Sequence, residues 1–104
     1  MANNVTLPNR EEMFRLLSSA NIGSDLQSSL QPKLIAQAGN TLDETVFASM
    51  LAFAVNSFMA STDEIMRNHV NLRVCEVIDS LIIHPVAATS IKNLFIKLSN
   101  ASSH

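Results

Sequence analysis

The chain has no tryptophan or tyrosine, 1 cysteine, 2 glycines and 3 prolines in 104 residues. So little Gly and Pro excludes a turn-rich, all-β architecture. The single thiol, Cys75, excludes an internal disulfide framework. Charged residues make up only 15% of the chain against 47% apolar, a balance that disfavours disorder. Positive charge is also scarce. Seven basic residues are scattered from Arg10 to Lys97 and the net charge is −2, which argues against nucleic-acid binding, where a basic stripe is the usual footprint.

Targeting signals are missing too. The opening residues are polar and lack the basic-then-apolar order of a signal peptide. Ala2 stands where N-myristoylation requires glycine. The uncharged run between Glu44 and Asp63 contains Ser49, Asn56 and Ser57 and falls just short of the ~20 apolar residues a spanning helix needs, so no membrane span is expected. Together with the lone thiol this points to a reducing, cytoplasmic or nuclear setting.

What remains is helical patterning. Asn9 with Glu12 resembles a capping box and opens a helix over 10–20, with a stripe of Met13, Phe14, Leu16, Leu17 and Ala20. Ile22-Gly23 reads as a stop, and Ser24 with Gln27 as a second capping box before Leu26, Leu30 and Leu34. Pro32 predicts a kink or break near Gln31, because proline removes a hydrogen bond and clashes with the preceding turn. Thr41-Leu42-Asp43-Glu44 has the T-x-x-E form and predicts a helix over 42–60. That helix carries Phe47, Met50, Leu51, Ala54 and Phe58 on one face and Val46, Phe53 and Val55 elsewhere, so it is apolar almost all round. Ser61-Thr62-Asp63-Glu64 opens the next helix; Asn68 to Asn71 leaves open a turn or a straight run on to Val74, Ile78 and Leu81. Residues 77–83 also suit a strand, but no partner strand is evident and helix is preferred. His84-Pro85 marks a break. A last helix is expected over 87–99, followed by a flexible tail at 100–104. The expected fold is a single all-α domain over 1–99, a small bundle of five or six helices.

Chemistry-bearing residues are few. Cys75, His69, His84 and His104 are the only set of metal-ligand type, and none has the short paired spacing of zinc sites. Cys75 falls on an apolar stripe and reads as core. Glu11-Glu12 and Asp43-Glu44 sit in first turns, where negative charge complements the helix dipole. No catalytic residue, metal site or cofactor is assigned. A mostly apolar helix in a small domain calls for cover, and a symmetric homodimer supplies it; Phe47, Leu51, Phe53, Ala54 and Phe58 are the expected interface. The competing reading is a small carrier of an apolar ligand or lipid, with the third helix lining a cavity.

The order Glu11-Glu12-Met13, Leu16-Leu17, Ile22-Gly23-Ser24, Leu26, Leu30 and Leu34-Ile35 resembles the N-terminal segment of LisH-containing centrosomal and ciliary proteins, the group of the oral-facial-digital syndrome protein and the fibroblast growth factor receptor oncogene partner. The likeness covers about the first third of the chain. The turn is Ile-Gly where the family has Gly-Ile, and Pro32 interrupts the second helix. The resemblance implies a homodimerising scaffold module that joins other protein subunits in centriole or cilium assembly.

Overall fold

The computed structural model describes residues 3–59 and 63–101. Among them the order is β1 (Asn4–Thr6), α1 (Arg10–Ser19), α2 (Ser24–Ala36), β2 (Thr41–Asp43), α3 (Glu44–Phe58), α4 (Glu64–Leu81) and α5 (Pro85–Ala101). The all-α reading holds: five helices build the body, and two three-residue strands tie one corner.

Local chemistry sets the helix starts. Asn9 Oδ1 accepts from the Glu12 amide at 2.9 Å, as the capping pattern predicts. The Glu12 carboxylate does not reach back to close the box; it takes the Arg15 guanidinium instead, with Arg15 Nε donating at 3.0 Å. At α2 the cap is Gly23, not Ser24, and Ser24 is the first helical residue. The Gly23 φ of 89° with ψ of 146° is backbone that side-chain-bearing residues avoid. Of the kink or break expected at Pro32, the break does not occur: α2 runs unbroken through it, and Leu26, Leu30 and Leu34 hold one buried line on both sides of the proline.

Two further starts differ from the sequence reading. The α3 cap is Asp43, whose Oδ1 accepts from the Thr45 amide at 2.8 Å, so the helix begins two residues later than expected. Thr41 belongs to β2, where its hydroxyl lies 2.8 Å from that of Thr6. At α4 the cap is Asp63, accepting from Ile65 N–H at 2.9 Å. Ser61, Thr62 and the expected end of the third helix at Ala60 lie outside the described residues, as does His104. α4 is straight through Asn68 and Asn71, and residues 77–81 are helical. α5 begins at Pro85, where the missing N–H costs nothing, and continues to Ala101. Asn100 and Ala101 therefore belong to the helix; the rest of the expected tail lies outside the described residues.

β1 and β2 pair antiparallel with Val5 opposite Leu42. The ladder extends outward through Leu7 N–H to Asn40 O at 2.9 Å and Glu44 N–H to Asn3 O at 2.9 Å. The α1–α2 hairpin thus loops out between the two strands.

α3 is the hub, packing most extensively against α5. Phe47, Leu51 and Val55 of α3 are fully enclosed with Ile91 and Phe95 of α5, Leu30 and Leu34 of α2, and Val74 and Ile78 of α4. The radius of gyration of 12.7 Å matches the ~13 Å of a closed chain of this size.

Candidate functional site

Three places beyond the apolar core bear on function. The first is the outer face of α3. At 100° per residue its buried residues fill one side, and Val46, Ser49, Met50, Phe53 and Ser57 share the other. Phe53 is 68% exposed and Val46 56% exposed, with half-buried Met50 beside them. No charged residue interrupts α3 after Glu44. Lys33, in the last turns of α2, brings its ammonium within 5.6 Å of the Phe53 ring centre.

The five residues expected at an interface separate here. Phe47, Leu51 and Ala54 are closed inside the chain's own core. Phe53 stands in solvent, and Phe58 is half-buried against the core edge. The helix is apolar all round because its inner side is covered by α5, α2 and α4 while its outer side is left bare. Periodicity gave no means of telling the two sides apart. α4 also shows exposed apolar residues, Ile65, Met66 and Leu72, but His69, Arg73 and Glu76 lie exposed among them.

The second place is a buried polar cluster. Arg67, in the first turn of α4, donates from Nη1 to Asn56 Oδ1 at 2.8 Å and approaches Ser99 Oγ at 3.3 Å. Ser99 donates to Asn71 Oδ1 at 3.0 Å. Arg67, Asn71 and Ser99 are all buried. No carboxylate pairs with the guanidinium among the described residues, and its Nε meets no hydrogen-bond partner. The positive charge sits instead against the last turns of α3 and α5, where helix carbonyls carry partial negative charge. The cluster ties three helix ends together. Nothing in the sequence marked it, because Arg67 reads as an ordinary surface cation.

The third is an open cleft of about 970 Å³ between the N-terminal segment and the α4–α5 corner. One wall is Asn3 to Asn9; the other is Ser80 to His84 with Val86 and Ala87. Ile83 is 94% and Val86 72% exposed. Glu12, Arg15, Glu44 and His84 are its ionisable lining residues. Glu44 is buried and accepts from Ser90 Oγ at 2.8 Å. Of α3, only Glu44 reaches this space, so the cleft is not the cavity a carrier built on the third helix would have.

Cys75 is half-buried on α4, and burial pushes its thiol above the usual range. No three residues of metal-ligand type converge among the described residues. No helix there is long and apolar enough to cross a membrane. Comparison with protein-family models, with curated proteins and with solved structures gave no match.

Proposed function

We propose that this chain is a non-catalytic helical interaction module that self-associates through the outer face of α3. One observation carries the reading: Phe53 is open to solvent at the centre of a helix face to which α3 itself contributes no charge after Glu44, the one nearby cation being Lys33 of α2 against the Phe53 ring. Apolar residues at i, i+4 and i+7, here Val46, Met50 and Phe53, are the anchors by which one helix lies against another. A two-fold pairing would bring the same strip of two copies together, the commonest oligomeric arrangement. α3 is favoured over α4 because pairing it buries no exposed ionisable residue of its own.

Service as a scaffold part that joins other protein subunits in centriole or cilium assembly, in the cytoplasm at the centrosome or cilium base, rests on the LisH resemblance alone. The test is molar mass by light scattering across a micromolar concentration series. Wild type should reach twice the chain mass. Phe53→Glu should remain at 11.3 kDa with unchanged helical circular dichroism, since the side chain touches solvent in the single copy. Wild type that stays at one chain mass throughout rejects the reading. Dimerisation lost with Ile65→Glu and kept with Phe53→Glu would move the interface to α4.

A further inference from the structure

The cleft beside β1 is reached edge-on. Five consecutive residues, Asn3 to Leu7, line it, although side chains of a strand alternate between faces; Thr41, Leu42 and Asp43 of β2 do not line it. Consecutive lining from one strand and none from its partner puts the space along the open edge of β1. The register gives the same result. Asn3, Val5 and Leu7 turn their backbone groups toward β2, as the Glu44–Asn3 and Leu7–Asn40 bonds show, so alternation turns those of Asn4 and Thr6 toward the cleft.

Opposite this edge stand Ile83 and Val86, the most exposed apolar residues of the α4–α5 corner. Of the ionisable residues that line the cleft, His84 accepts from the Ala87 amide at Nδ1, 3.4 Å away. Glu12 and Arg15 are paired with each other. Glu44 is 7% exposed and lines the cleft; it accepts from the neutral Ser90 hydroxyl and has no cationic partner among the described residues.

We infer that the cleft binds an extended peptide segment, which adds a strand to β1 and places a Lys or Arg side chain against Glu44 between apolar neighbours. Main-chain pairing with Asn4 and Thr6 would supply register, alternate apolar side chains would cover Ile83 and Val86, and the basic group would neutralise the cleft's unbalanced carboxylate. This site is separate from the α3 face, and neither reading depends on the other.

The test begins with selection of a random heptapeptide library on the full chain. The expected sequences alternate β-branched residues around one Lys or Arg. In the ¹⁵N-labelled chain the bound peptide should slow exchange of the Asn4 and Thr6 amides at least tenfold. N-methylating the peptide's edge-facing amides, or introducing Ile83→Asp on the protein, should each weaken binding at least tenfold. Replacing the peptide's basic residue by norleucine should weaken binding to wild type but not to Glu44→Gln; the norleucine peptide reads the same contact should that variant fold poorly. The proposal is overturned if no sequence is enriched over an Ile83→Asp control. It is equally overturned by acidic or helical enriched sequences, by a bound peptide that leaves Asn4 and Thr6 exchange unchanged, or by binding lost on Phe53→Glu and retained on Ile83→Asp.

Discussion

At the residue scale, two groups show how burial changes what a side chain does. Cys75 is held partly out of water, which favours the neutral thiol over the thiolate. Lys92 nearby works weakly in the other direction. Folded protein should therefore react with iodoacetamide more slowly than the chain in urea at the same pH. The sign of the stability effect follows. As pH rises through the ordinary thiol value near 9.0, the unfolded chain loses its proton while the folded chain keeps it. Folding stability should fall in that window, and Cys75→Ser should remove the dependence. Arg67 is the second group. Its guanidinium is buried against neutral acceptors rather than a carboxylate. Burying a charge is costly, and apolar replacements of similar volume are often neutral or stabilising. In urea titration Arg67→Met should keep its unfolding free energy within about 1 kcal/mol of wild type or above it. Asn56→Ala, which strips an acceptor from a charge that stays buried, should lower stability by about 1–3 kcal/mol. A large loss from Arg67→Met would mean that the cation itself holds the three helix ends together.

At the element scale, α2 is the helix that carries an internal proline. Pro32 lacks the N–H that would bond the Ser28 carbonyl, yet the helix does not stop. Three leucines buried on one line hold the turns on either side of it. Pro32→Ala should raise stability by about 1–2 kcal/mol in thermal unfolding, the restored helical turn outweighing the looser unfolded chain. Gly23 behaves in the opposite way. A Cβ there would meet nothing within 4 Å, so the site has room. The positive φ still penalises a side chain, and Gly23→Ala should cost about 1–3 kcal/mol on backbone conformation alone. The same elements show what could be read in advance. Asn9 was legible because its side chain caps an amide three residues away. Thr41 does not cap α3: a T-x-x-E string suits both a capping box and a short strand followed by an Asp cap. Three-residue strands have too little alternation to be seen; β1 and β2 exist because each finds the other across 35 residues, as the Thr6–Thr41 contact shows.

At the scale of the whole molecule, the core is one cluster centred on the α3–α5 contact. Phe47 and Phe95 are both fully enclosed in it. Truncating either to alanine should cost about 3–5 kcal/mol by denaturant titration. A domain of this size holds only about 5–15 kcal/mol in total, so the double variant should lose its cooperative transition. Phe53→Ala, on the bare side of the same helix, should change the monomer's stability by less than about 0.5 kcal/mol. The contrast between Phe47 and Phe53 measures directly which side of α3 the chain covers for itself.

Whereas Gly23, expected to close α1, caps the start of α2 instead, apolar spacing along the sequence determined the helical class and the central place of the third helix. Local rules suffice there, because caps and periodicity involve residues within a turn or two of one another. Which face of α3 stays bare, the two-stranded tie, the Arg67 cluster and the cleft along β1 were decided only in three dimensions. Each depends on groups brought together from tens of residues apart, and a one-dimensional pattern carries no record of which distant segment arrives to cover a given face.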